Sequence, residues 1–96
     1  MQYFENRRDN QHKAFATVLA EHRPDGMIIP RRFKLEDGKA RTIDRVVDVT
    51  PAPALKAGGQ GIRYTCMIEG KQYYLFHDRK WWFFELSDNM QLIEVE

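Results

Sequence analysis

One cysteine, Cys66, stands in this 96-residue chain, so no internal disulfide framework holds it together. Histidine is almost as scarce. His12, His22 and His77 lie far apart, and no pair among them and Cys66 has the spacing of a structural zinc site. No metal and no cofactor is expected. No apolar run approaches the roughly 20 residues that span a bilayer, so no membrane partner is expected either. The opening Met1-Gln2-Tyr3-Phe4-Glu5-Asn6-Arg7-Arg8-Asp9 lacks the apolar core of a signal peptide, and a cytoplasmic location follows as the default.

Catalytic signatures are missing as well. His77 is next to Asp78, but neighbours in a strand or turn point apart. Cys66 and Ser87 come with no recognisable base, and Glu21-His22 is nonspecific. Gly58-Gly59-Gln60-Gly61 leads into a strand, whereas a phosphate-binding loop of the nucleotide-binding kind leads into a helix. The sequence predicts a protein that is not an enzyme.

What is present is a globular balance of 43% hydrophobic and 30% charged residues, enough for one domain. Residues 1–12 are polar and read as an arm; residues 13–96 read as a single β-domain. The net charge of +1 is unevenly spread. Residues 7–34 are basic, whereas Glu85, Asp88, Glu94 and Glu96 make the last stretch acidic. A near-zero total argues against strong nonspecific binding to nucleic acid.

Residues 13–22 fit two periods. Phe15, Val18 and Leu19 have helical spacing, while Phe15, Thr17 and Leu19 alternate with Ala14, Ala16, Val18 and Ala20 as in a strand. The turn sequence Arg23-Pro24-Asp25-Gly26 that follows favours a hairpin and hence a strand. The returning arm, Met27–Glu36, contains Pro30, which cannot donate to a ladder and so marks an edge or a bulge. Asp37-Gly38 suits a hairpin turn with two positive-φ corners. A third strand spans Ala40–Val49, with Val46 out of phase with Ile43, Val47 and Val49, which signals a bulge or two covered faces. Residues 50–60 form a long connection with at most one helical turn. Then come strands at Ile62–Glu69, Gln72–His77 and Trp81–Leu86, a turn at Ser87-Asp88-Asn89, and a last strand at Gln91–Val95.

Six to seven short strands in meander order predict an all-β fold. The expected form is a small, strongly bent antiparallel sheet or a partly open barrel of the SH3 and OB size class.

Ile62, Tyr64, Cys66 and Ile68 form a core-like face. A small barrel cannot place every ring of the next two strands inside. Some of Tyr73, Tyr74, Trp81 and Trp82 should therefore line an outer face beside Arg63, Arg79 and Lys80. Such an aromatic and basic face suits stacking of single-stranded DNA or RNA. It equally suits a two-sided core, or a protein interface, where Trp, Tyr and Arg dominate binding. Arg31, Arg32 and Lys34 form a second basic group, either a charged edge that discourages strand pairing or a phosphate contact.

Asp37-Gly38-Lys39, Thr42-Ile43-Asp44-Arg45-Val46-Val47-Asp48, Gly58-Gly59-Gln60-Gly61-Ile62-Arg63-Tyr64-Thr65-Cys66, Tyr74-Leu75-Phe76 and Trp82-Phe83 share a cadence of short phrases. In these, roughly residues 13–86 resemble an uncharacterised bacterial family of small all-β proteins. The resemblance implies an all-β fold and no catalytic or ligand residue. Some similarly patterned small domains are encoded beside error-prone DNA polymerases, which implies a role near nucleic acid. The residues themselves point to a small binding or accessory module that pairs with a protein partner or with a copy of itself. The alternative is a single-stranded nucleic-acid binder.

Overall fold

Alternation of apolar and polar residues becomes strand after strand. The computed structural model describes residues 12–51, 61–87 and 91–95, and among these every regular element is a β-strand. Chain order gives β1 (Lys13–Phe15), β2 (Thr17–His22), β3 (Ile28–Lys34), β4 (Ala40–Thr42) and β5 (Arg45–Pro51). After the connection follow β6 (Ile62–Ile68), β7 (Lys71–Asp78), β8 (Trp81–Glu85) and β9 (Glu94–Val95). Residues 1–11 of the expected arm, 52–60 of the expected connection and 88–90 of the expected last turn lie outside the described residues.

Two antiparallel sheets result. The larger runs β1-β8-β7-β6-β5, with β9 also paired to β7; the smaller runs β2-β3-β4. Two runs of chain pass from one sheet to the other. The first bends at Ala16, whose N–H donates to the carbonyl of Trp82 in the large sheet, so 13–22 is one strand broken into β1 and β2. The second bends at Ile43 and Asp44. The Ile43 N–H donates to Arg31 of the small sheet, and the Asp44 N–H to Met67 of the large one, each at 2.8 Å. The expected third strand is therefore β4 plus β5. The fold is a strongly bent all-β globule whose sheets are not closed into a full barrel.

Local chemistry explains the turns and bulges. Arg23–Gly26 and Leu35–Gly38 both close with an N–H to carbonyl bond of 3.0 Å, and each ends on a glycine at positive φ. Asp25 and Asp37 reinforce these turns by accepting from the N–H two residues on. Asp37 itself keeps an ordinary backbone, so the second turn has one positive-φ corner, Gly38, where two were expected. Pro30 sits in the central strand of the small sheet, beside the register shift at Leu19/Ala20, and the bulge accommodates its missing donor. A second shift between Val46 and Asp48 turns Val46 and Val49 toward the core and leaves Val47 exposed, which accounts for the broken phase of the sequence.

The core lies between the sheets. Phe33, Ile43, Tyr64, Cys66, Ile68, Leu75 and Phe84 are buried there, with Ala14, Ala16 and Val18 packed against them. The small residues of 13–22 thus face inward, because the rings of Phe33, Tyr64 and Phe84 already fill the space opposite. Each such large apolar side chain contributes about 1.5–3 kcal/mol by leaving water. Burial pushes the Cys66 thiol up to about 12, as befits a small core hydrophobe.

Candidate interaction surface

Register sorts the aromatic residues by face. Ile62, His77 and Trp82 are cross-strand neighbours on one side of the large sheet; Arg63, Phe76 and Phe83 are neighbours on the other. The predicted site residues are divided accordingly. Tyr73 and Trp82 face the core, where Tyr73 meets Phe84 edge-on and Trp82 lies between Tyr64 (5.5 Å) and His77 (3.9 Å). Tyr74 and Trp81 lie on the outer face with Arg63 and Lys80. Arg79 is in the β7–β8 turn at φ 59°, exposed.

That outer face is a second core in its own right. Phe76 and Phe83 stack at 5.5 Å and are 2% and 0% exposed. Phe15, Tyr74 and Trp81 pack around them. Cations already occupy several ring faces: the Arg63 guanidinium lies 4.3 Å from the centroid of Tyr74 and Lys80 Nζ 5.4 Å from that of Trp81. Lys13 is itself buried, its Nζ 4.8 Å from the centroid of Phe83. Phe15, Tyr74 and Trp81 are half-buried around Phe76 and Phe83, with cations over the rings of Tyr74 and Trp81.

The second basic group stands differently. Opposed residues share a face, so Leu19, Arg32 and Thr42 form one outward row of the small sheet, and Thr17, Lys34 and Ala40 the next. All six are exposed. Leu19 is 67% exposed, an apolar side chain on the edge strand β2 directly opposite Arg32. Val18 and Phe33, one residue along, point the other way into the core. Arg31 is exposed as well, but its guanidinium is already engaged. It is the extra residue of the bulge and pairs with Glu21, Nη2 to Oε1 at 2.6 Å. The sequence reading placed Arg32 and Lys34 together correctly but did not single out Leu19. The signal was present in its phase with Thr17.

Among the described residues no group of three or more His, Cys, Asp and Glu side chains is placed to hold a metal ion. Nor is any helix among them long and apolar enough to cross a membrane. The chain matches no protein-family model, and neither a curated protein nor a solved structure matches it.

Proposed function

We propose that the protein is a binding module that docks an acidic protein segment on the outer face of the small sheet. The observation that carries this reading is Leu19, two-thirds exposed, in the row of Arg32 and beside that of Lys34. An exposed leucine on a sheet face is a hydrophobic contact left open, and the flanking cations select a partner with apolar side chains set among carboxylates. Self-association through this face brings Arg32 and Lys34 against their own copies, and like charges in apposition cost affinity. Self-association through the large sheet gains less, since Phe76 and Phe83 are already covered within one chain. Nucleic acid offers phosphates to the cations, but Thr17, Leu19, Arg32, Lys34, Ala40 and Thr42 include no ring on which a base can stack.

The test is an amide-resolved NMR titration with a synthetic peptide that alternates leucine with aspartate and glutamate. Saturable shifts at Leu19, Arg32, Lys34 and Thr42 are expected, lost in the Arg32→Glu, Lys34→Glu double variant and in Leu19→Lys. A mixed-sequence single-stranded oligonucleotide is titrated in parallel. Shifts on this face with the oligonucleotide and none with the peptide reverse the reading in favour of nucleic acid. A sedimentation-detected dimer that Leu19→Lys dissolves replaces it with self-association.

A further inference from the structure

Beside the Leu35–Gly38 turn and the turn that joins β6 to β7 lies a cleft of about 230 Å³. Its apolar lining comes from three parts of the fold: Phe33 from β3, Ile68 and Tyr73 from the β6–β7 hairpin, and Leu92. Phe33 and Ile68 are buried, while Tyr73 and Leu92 are half-buried. Arg41 and Lys71 also line the cleft and outnumber its one acid, Glu69. A roughly 150 Å³ apolar cavity is enough for benzene, whereas pockets for drug-sized ligands run from about 300 Å³ upward. This cleft therefore suits one ring and a short tail.

The two cations are held differently. Arg41 is bound to Asp37 by two hydrogen bonds, at 2.7 and 3.3 Å. Among the described residues, Lys71 pairs with Glu94 alone, at 3.6 Å, with both side chains about half exposed. Such a pair binds its partners weakly, and a carboxylate delivered by a ligand seated on the apolar floor can displace Glu94. Arg41 contributes positive potential beside it. We propose that this cleft is a binding site for a small carboxylate carrying a single ring-sized apolar group, with Lys71 contacting the carboxylate and Phe33, Ile68, Tyr73 and Leu92 taking the ring. The site shares no residue with the docking face of the small sheet and stands or falls apart from it.

The test compares hydrocinnamate with its neutral amide in NMR titrations of the full chain. Saturable shifts at Phe33, Ile68, Lys71 and Tyr73 are expected, with a Kd on the order of 1 mM for a ligand of roughly a dozen heavy atoms. The acid should bind about five- to tenfold tighter than the amide. Lys71→Glu, a change at an exposed position that leaves the fold intact, should abolish that preference and leave amide binding unchanged. Shifts that do not saturate or that map elsewhere overturn the site. Equal binding of acid and amide to the unaltered protein, or a preference that survives Lys71→Glu, overturns the carboxylate assignment.

Discussion

Tyr64 of β6 donates its hydroxyl to the carbonyl of Ile28 on β3, 2.5 Å away, and so ties the large sheet to the small one. The ring is 1% exposed, and burial raises the phenol above its ordinary range, which keeps the hydroxyl a donor throughout neutral pH. Tyr64→Phe retains the ring and deletes the donor, leaving a partly buried carbonyl short of a partner. A loss of about 1–2 kcal/mol in chemical denaturation is expected. No loss would show that core packing alone joins the sheets there.

The His77 imidazole lies flat on Trp82, 3.9 Å between centroids and 4° from parallel. Burial is the main cause that holds it below its ordinary value; the Arg79 backbone and Asp78 oppose the shift, and His22 adds to it. A depressed histidine favours the neutral fold. Its contribution is fully present above the unfolded value near pH 6.5. It is lost as pH falls from there through the folded value. His77→Phe keeps the stack without the titration. Stability measured between pH 5 and 8 should fall less steeply toward acid in the variant than in the unaltered protein. Identical slopes would sink the assignment.

Strand positions were legible because alternation, Pro-Asp-Gly and Asp-Gly turns are local signals. Which face is core was not. In 13–22 the phase was right, yet Ala14, Ala16 and Val18 turn inward and Phe15 outward, a choice made by rings that arrive from β3, β6 and β8. The same reason separates Tyr73 and Trp82 from Tyr74 and Trp81. Their composition is alike, and only register with neighbouring strands assigns a side. Sheet-switching at Ala16 and at Ile43–Asp44 was likewise hidden, since a corner is set by bonds to Trp82, Arg31 and Met67, all distant in sequence.

Gly61 immediately precedes β6, tight against the backbone at the end of β7. A Cβ placed there would lie 2.3 Å from the His77 carbonyl oxygen and 3.0 Å from Asp78 Cα, at φ 155°. Backbone cannot swing aside as a flexible side chain can. Gly61→Ala should cost about 2 kcal/mol or more through forced displacement of the β6–β7 register. Gly38→Ala is the control: φ is 77° but nothing lies within 4 Å, so only the left-handed backbone penalty of about 1 kcal/mol applies. Equal losses in urea denaturation would mean that the contact with His77 relaxes freely.

Asp44 connects the sheet corner to the β6–β7 turn. Its N–H donates to Met67, and its Oδ2 accepts from the Glu69 N–H at 3.0 Å. Glu69 needs that support because it is a non-glycine residue at φ 53°, a conformation costing on the order of 1 kcal/mol. Asp44→Ala deletes the acceptor and should destabilise by about 1 kcal/mol, below the roughly 1.5–3 kcal/mol of a charged acceptor because the site is exposed. Asp44→Asn retains an oxygen there and should lose less than half as much. Glu69→Gly removes the backbone strain and should stabilise by about 0.5–1 kcal/mol on its own. In the Asp44→Ala background the gain from glycine should persist, because it comes from φ and not from the carboxylate. Equal losses for Asp44→Ala and Asp44→Asn would show that the oxygen is not what holds the turn. The corner at Ile43–Asp44 would then rest on its two backbone bonds alone.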